Sequence, residues 1–184
     1  MNIDEAINKW HGRLDAVTAQ VKSEFGELPK EQLNWKPSAE KWSIAEVLEH
    51  LVLVNQSYEV VLADAANGTS NPGFTAKIPF IVNMLGNAIY KSVEPTRAKK
   101  MKTFAVWQPA SSNVDQDVLL QFLEYQEVLK SLITKNKKLL EEDIVIPSPA
   151  NRYIVYKLRK AVEIVVSHEE RHLNQALEVK GLLP

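Results

Sequence analysis

The stretch SIAEVLEHLVLVNQSYEVVL, Ser43 to Leu62, decides the fold of this 184-residue chain. Ser43 and Glu46 have the spacing of a capping box, in which the hydroxyl and the carboxylate each satisfy a backbone amide of the first helical turn. Apolar side chains then recur every three or four residues on one face: Ile44, Val47, Leu48, Leu51, Val54, Tyr58 and Leu62. This period predicts an amphipathic helix that ends near the turn-forming segment NGTSNPG, residues 67–73.

Three further runs repeat the period, so the chain is predicted to have four helices of similar length. Beside the helix that begins at Ser43, we predict helix one over residues 4–25, helix three over 113–138 and helix four over 152–180. Asn151 is the expected N-cap of helix four, and Gly181 is its expected stop. Because no convincing pair of strands appears, each apolar stripe must pack against other helices. The predicted fold is all-α, a four-helix bundle in one domain over residues 1–184.

The connection between helices two and three, residues 67–112, is too long for a bare loop in a compact domain. We expect a short extra helix over residues 79–91 and an extended piece over residues 103–107, both lying across one end of the bundle. The basic stretch RAKKMK, residues 97–102, is short and contains no aromatic residue. It is therefore expected to be a solvated loop without a function of its own.

The composition excludes several classes of function. Hydrophobic residues make up 45% of the chain and charged residues 24%, as in a globular protein with a packed core. A net charge of -1 offers no positive field to phosphate backbones, so we expect no nucleic-acid partner. The longest uncharged apolar segment, residues 78–90, is shorter than the roughly 18–20 residues of a membrane span, and the charged N-terminus is unlike an export signal. The absence of cysteine excludes disulfides and thiolate ligands within the chain and fits the cytoplasm.

Two of the four histidines, His168 and His172, lie four residues apart inside the fourth apolar run. Side chains at this spacing share one face of a helix, with Cβ atoms about 5–6 Å apart, so two imidazoles can converge on one cation. Both fall on the inward side of helix four, where an unpaired polar group costs about 1–3 kcal/mol and a shared metal would satisfy both rings. A third ligand would come from a facing helix. His50 and His11 both flank an apolar arc, and spacing alone leaves the choice between them open.

Two strings, NWKPSAEKWSIAEVLEHL at residues 34–51 and SHEERHLNQ at residues 167–175, resemble the DinB/YfiT-like superfamily. In that superfamily a tryptophan-proline connection and a WS capping box precede a helix with one histidine, and an H-x-x-x-H pair closes the last helix. The resemblance spans the whole predicted bundle. It implies a metal bound by His50, His168 and His172, most often zinc or nickel. It gives His11 no counterpart, so we expect His11 to be a packing or surface residue.

The letters HEERH also match the zincin motif H-E-x-x-H, in which the glutamate serves as a base. On that interpretation Glu169 would be catalytic. A zincin, however, needs a context of strands and a further ligand downstream, and none of the twelve residues after His172 is a histidine. We therefore do not expect a protease.

Three neutral imidazoles leave a cation its full charge and at least one open position, as in a catalytic site. Such a cation could acidify water or stabilise the thiolate of a small thiol. The superfamily that this chain resembles includes S-transferases and isomerases that use low-molecular-weight thiols, so our first hypothesis is transfer of such a cosubstrate to a small electrophile. The alternatives are hydrolysis by metal-activated water and a non-catalytic metal-binding bundle. A homodimer is the assembly we consider, because symmetric dimers are the commonest assembly of soluble chains.

Further polar and aromatic residues are candidates for the surroundings of the metal. Glu46 lies one turn before His50 and could orient it, but the capping role explains Glu46 at least as well. The residues expected either to contact substrate or to satisfy one another are Asn55, Tyr58, Glu169 and Gln175. The tryptophans that could line the mouth of the site, although core positions are commoner for tryptophan, are Trp35, Trp42 and Trp107.

Overall fold

The computed structural model of the protein describes residues 2–96, 103–110 and 112–184, so the loop predicted at residues 97–102 lies outside the described residues. The helices are α1 (Ile3–Phe25), α2 (Lys30–Leu33), α3 (Ile44–Ala66), α4 (Pro79–Val93), α5 (Val118–Lys135), α6 (Lys137–Glu142) and α7 (Leu158–Lys180). The strands are β1 (Val145–Ser148) and β2 (Asn151–Lys157), and short 3-10 turns lie at Phe74–Lys77 and Ala105–Trp107.

The four long helices, α1, α3, α5 and α7, pack in a closed ring. Helix α7 lies against α1 and α3, and α5 lies against the same two helices. Helices α1 and α3, which follow each other among the long helices, therefore occupy opposite corners of the bundle. The prediction of an all-α four-helix bundle is confirmed, and the ring places the second and fourth long helices side by side. That residues 1–184 form one domain stays a prediction.

The core consists of two apolar clusters with a polar layer between them. Trp10 belongs to one cluster and Phe122 to the other, and both side chains are almost completely buried. Burying a side chain such as Phe122 stabilises the fold by about 1.5–3 kcal/mol. Where α3, α5 and α7 pass from one cluster to the other, they contribute the buried polar residues Asn55, Gln126 and Glu169. The histidines of α3 and α7 lie at the same level of the bundle.

Local signals set several helix ends where the sequence predicts them. The Ser43 hydroxyl accepts the amide of Glu46 at 3.1 Å, and the Glu46 carboxylate accepts the amide of Ser43 at 2.7 Å, so the capping box is confirmed. Helix α4 begins with Pro79 in its first turn and matches the extra helix predicted over residues 79–91. Helix α7 ends at Lys180, with Gly181 as its C-cap.

The beginning of the fourth long helix is a correction. We predicted a helix over residues 152–180 capped by Asn151, but α7 begins at Leu158 and Asn151 is the first residue of β2. Strands β1 and β2 pair antiparallel, with Ile146 opposite Tyr156. The run RYIVYK is rich in aromatic and β-branched residues, which favour a strand over a helix. The expectation that no strands pair was therefore wrong.

Two other segments differ from the prediction in their details. Helix α5 begins at Val118, not at residue 113, because the Asn34 side chain binds both the amide and the carbonyl of Val114, at 2.8 and 3.0 Å, and holds this segment outside the helix. The segment predicted to be extended, residues 103–107, contains the 3-10 turn Ala105–Trp107, which lies against α3. Within the described part of the chain, no helix has the length and apolar character that a membrane span needs.

Candidate metal centre

Three histidines from two helices meet at one point. Helix α3 carries His50, and α7 carries His168 and His172 one turn apart. The Nε2 atoms of His50 and His168 are 3.2 Å apart. One ring nitrogen from each histidine lies within 4.8 Å of the others, and among the described residues this is the one such group of three His, Asp or Glu side chains. The structure therefore brings together three side chains that could hold a metal ion.

A backbone carbonyl fixes the ring of His50. Its Nδ1 lies 2.7 Å from the carbonyl oxygen of Trp107. Because a carbonyl can only accept a hydrogen bond, Nδ1 carries the proton of the neutral ring and Nε2 keeps a lone pair that faces His168. The 3-10 turn that lies against α3 thus sets the tautomer that a metal ligand requires.

Burial keeps the three imidazoles uncharged. It lowers the pKa of His50 to about 4 and the pKa of His172 to about 3, and the hydrogen bond to Trp107 offsets part of the shift at His50. The pKa of His168 is also lowered, first by burial and then by His172, His50 and Arg171. At neutral pH each ring therefore offers a lone pair without a positive charge, as metal binding requires.

Two features of the ring nitrogen atoms suit a transition-metal ion. Nδ1 of His172 is buried and has no hydrogen-bond partner. Two nitrogen ligands of a tetrahedral ion are about 3.3 Å apart when each bond to the metal is about 2.0–2.1 Å. The distance of 3.2 Å between His50 and His168 agrees with that value. Imidazole ligands suit zinc, nickel, copper or iron, whereas calcium and magnesium prefer oxygen.

The histidines lie in the wall of a cavity of about 670 Å³, a volume that accepts a small molecule. Two of the predicted tryptophans line it. The Trp42 ring stacks on His172 with 6.0 Å between centroids, and the Trp107 indole N–H donates to the Ser57 hydroxyl at 3.1 Å. Trp35 instead packs against the apolar cluster around Phe122.

Glu46 lines the cavity, but its carboxylate is occupied elsewhere. One oxygen accepts the Ser43 amide of the capping box, and the other pairs with the Lys36 ammonium at 2.9 Å. The capping role therefore describes the contacts of Glu46, and the Trp107 carbonyl lies at the second ring nitrogen of His50. That Glu46 contacts substrate stays a prediction.

Glu169 and Asn55 face away from the cavity into the polar layer of the core. One oxygen of Glu169 accepts hydrogen bonds from the side-chain amides of Asn55 and Gln126, at 2.9 and 3.0 Å. Burial raises the pKa of Glu169 to about 7, and these two hydrogen bonds limit the shift. Asn55 and Glu169 therefore bond to one another, as the alternative predicted, although Oδ1 of Asn55 and Oε2 of Glu169 are buried without a hydrogen-bond partner. Glu169 does not have the position of a zincin base.

Tyr58 and Gln175 do line the cavity. The Tyr58 hydroxyl lies 2.7 Å from the hydroxyl of Tyr156, and the Gln175 side chain partly offsets the lowering of the His172 pKa. His11 lies outside the cavity, where its Nε2 is 3.5 Å from the Thr134 hydroxyl.

Three contributors to the site were not found from the sequence. The Trp107 carbonyl is a backbone group, and its role cannot be predicted from the type of residue that carries it. Tyr156 was assigned to a helix, although the run of aromatic and β-branched residues before Leu158 could have marked a strand. Arg171, which lines the cavity between the two histidines of α7, has the appearance of an ordinary surface charge in the sequence.

Comparisons with known proteins bear on the fold and the family of the chain. The DinB superfamily matches residues 13–176. YuaE of Bacillus subtilis (strain 168), an uncharacterized protein, is 29% identical over 160 residues, which are 86% of this chain and 89% of YuaE. The structure of YfiT from Bacillus subtilis, described as a probable metal-dependent hydrolase with an unusual four-helix bundle topology, has a TM-score of 0.57 at 15% identity and covers 96% of this chain and 86% of YfiT. The likeness to YfiT shows the fold, and the match over residues 13–176 shows that the chain belongs to the DinB superfamily.

Proposed function

We propose that this protein is a metal-dependent hydrolase that acts on a small molecule. The observation that carries the proposal is the convergence of three uncharged imidazoles in the wall of a cavity of about 670 Å³. YfiT, which shares the fold, is described as a probable metal-dependent hydrolase. The proposed ligands are His50, His168 and His172, and the proposed ion is zinc or nickel.

The donor set fits a catalytic ion better than a structural one. Three neutral ligands leave a divalent ion its full charge and at least one open position. When bound, such an ion lowers the pKa of water toward about 7 and polarises a carbonyl group. The chain itself supplies orientation: the Trp107 carbonyl holds His50, and the Trp42 ring gives the substrate an aromatic wall beside His172.

Arg171 supplies a fixed positive charge at the same wall. Its guanidinium donates to the carbonyl of Glu94 at 3.1 Å, which fixes its position, and it lies close enough to His168 and His172 to lower the pKa of both. A positioned cation stabilises the negative charge that develops on oxygen during hydrolysis. We propose this role for Arg171.

Thiol transfer, our first hypothesis from the sequence, is the second candidate, because the same open position would bind a thiolate. The chain has no cysteine, so the thiol would have to be a cosubstrate. Neither relative supports thiol specificity, since YuaE is uncharacterized and YfiT is described as a probable hydrolase. Hydrolysis therefore comes first.

Metal content tests the centre. Protein purified without a polyhistidine tag should contain about one equivalent of zinc or nickel by elemental analysis. His50→Ala, His168→Ala and His172→Ala should each lose most of it. His11→Ala, a histidine outside the cavity, is the matched control and should keep it.

Product analysis tests the reaction. Metal-loaded protein is offered esters and amides, and separately small thiols with a halogenated nitroaromatic. Hydrolysis products that disappear in His172→Ala support the proposal, whereas thiol adducts would select the second candidate. Metal binding without turnover on any of these substrates would leave a non-catalytic metal-binding bundle and contradict the proposed activity.

Assembly and location also stay proposals. A homodimer is proposed because symmetric dimers are the commonest assembly of soluble chains, with the exposed side chains of Phe74 and Phe80 as candidates for its interface. Light scattering of the purified protein decides between monomer and dimer. A cytoplasmic location is proposed from the absence of cysteine, and fractionation of cells tests it.

A further inference from the structure

The cavity continues from the histidines to a pair of tyrosine hydroxyls. Tyr58 and Tyr156 line it, and their hydroxyl oxygens are 2.7 Å apart. Ser148, on the strand that pairs with that of Tyr156, also lines the cavity. All three side chains are buried. This end of the cavity is therefore a cluster of hydroxyl groups within protein.

The hydroxyl cluster has more hydrogen-bond donors than its internal contacts use. Each hydroxyl carries one O–H group and can also accept. The hydrogen bond between the two tyrosines uses one of their two O–H groups, so the other remains available to a molecule in the cavity. Burial raises the pKa of both tyrosines, so both remain neutral phenols at physiological pH.

The wall between the histidines and the hydroxyl cluster is apolar. Val54 lies on α3 halfway between His50 and Tyr58, and Ile164 and Val165 line the cavity from α7. The eight residues from His50 to Tyr58 rise about 12 Å along the helix axis. A ligand that reaches both ends must therefore have an apolar stem of about this length.

Charge is confined to the other end of the cavity. Among the described residues that line it, the charged ones lie level with the histidines or beyond them, away from Tyr58: Glu40, Lys41, Glu46, Arg171 and Glu178. A charged group at the hydroxyl cluster would lose its hydration without meeting an opposite charge. The far end of the ligand should therefore be polar but uncharged.

We infer that Tyr58 and Tyr156 form a specificity subsite, and that the substrate is an elongated molecule with a hydrolysable carbonyl at the histidines, an apolar stem and an uncharged hydrogen-bonding tail at the tyrosines. This inference rests on the proposed function for the position of the carbonyl group. It adds the class of substrate and the residues that select its tail.

Metal-binding probes test the subsite without turnover. Alkyl hydroxamates chelate zinc through one end, so two series of equal chain lengths are compared by calorimetry on zinc-loaded protein, one ending in a hydroxyl and the other in a methyl group. The hydroxyl series should bind roughly two- to tenfold more tightly at the length that reaches the tyrosines, the contribution of one hydrogen bond. Probes that end in a carboxylate should bind less tightly than either series at that length.

Phenylalanine variants assign the preference to the tyrosines. Tyr58→Phe with Tyr156→Phe removes both hydroxyls and keeps both rings, so neither phenol is left without a partner, and thermal unfolding checks that the double variant is folded. The preference for the hydroxyl tail should disappear in it. Tyr125→Phe, on α5 and outside the cavity, is the matched control and should keep the preference.

The results separate this inference from the proposed function. Zinc-loaded protein that binds both series equally, or a double variant that keeps the preference, overturns the subsite while the metal centre stands. A preference for carboxylate tails overturns the uncharged substrate. Absence of both zinc and nickel by elemental analysis removes the metal centre and the subsite together, whereas probe selectivity without any hydrolysis removes the activity alone.

Discussion

Removing His172 should change how stability depends on pH, because its ring is buried and uncharged in the folded protein. Burial holds the pKa of His172 at about 3 in the folded state, against about 6.5 in the unfolded chain. Between these values the unfolded chain binds a proton that the folded protein does not. The free energy of unfolding therefore falls as the pH falls below about 6.5. From about pH 7.5 to about pH 5, this one side chain should cost about 2 kcal/mol.

Urea unfolding of metal-free protein measures this cost. The unsubstituted protein and His172→Gln are unfolded at both pH values in the presence of a chelator. Because every other titrating group is common to the two proteins, the difference between their changes isolates the one ring. The unsubstituted protein should lose about 2 kcal/mol more than the variant between the two pH values.

Parallel pH dependences would refute the reasoning. They would mean that the His172 ring is hydrated or protonated in the folded protein near pH 5. The chain would then not present three uncharged ligands to a metal, whatever the distances between the rings.

Three further outcomes follow from individual contacts. Ser43→Ala removes the hydroxyl that caps α3 and should lower the free energy of unfolding by about 1 kcal/mol in urea titrations; an unchanged value would contradict the capping box. Glu169→Gln should stabilise the protein by up to about 3 kcal/mol near pH 8 but not near pH 4.5, because the unfolded chain ionises this carboxyl at its ordinary pKa whereas the folded protein keeps it protonated up to a pKa of about 7, and stability is lost between these values; a gain independent of pH would exclude this cause. Ser57→Ala removes the anchor of the Trp107 indole and should weaken zinc binding about tenfold in competition titrations, through the carbonyl that holds His50; unchanged affinity would show that the turn is held without it.

The bundle could be predicted from the sequence because its long helices carry their own signals. The apolar period of α3 and its capping box act within a few residues, so a local pattern is sufficient. The hairpin before α7 was missed for the opposite reason. Its strands are stabilised by each other and by α4, whose Gly86 approaches the Tyr156 Cβ so closely that an added Cβ would lie 3.1 Å from it. Such tertiary contacts leave no local pattern in the sequence.

The site was predictable only in part. Spacing placed His168 and His172 on one face, but the apolar period alone left His50 and His11 equivalent, and a resemblance decided between them. The structure shows why periodicity fails here: α7 packs against both α1 and α3, and only the face that α7 turns toward α3 brings His168 and His172 beside His50. The groups that complete the site, a backbone carbonyl and a strand tyrosine, depend on the same tertiary arrangement.

The string HEERH acquires a meaning from this packing that its letters do not have. Helix α7 crosses the polar layer of the bundle at these five residues and touches a different neighbour on each side. His168 and His172 face the cavity, whereas Glu169 bonds to amides of α3 and α5. Glu170 forms an ion pair with Arg13 of α1 at 2.7 Å. The letters HEERH therefore reflect three different surroundings, namely the cavity, the polar layer and α1, and not the site of a zincin.

This division bears directly on the proposed chemistry. In a zincin the glutamate must face the ion in order to take a proton from water. Here that position points into the core, where Glu169 touches side-chain amides. The base therefore cannot come from this part of α7, and Glu169→Gln should leave metal content and hydrolysis unchanged at neutral pH. A loss of turnover with full metal content in this variant would show that Glu169 reaches the cavity during the reaction. The polar layer of the core would then not be separate from the cavity wall that carries the histidines.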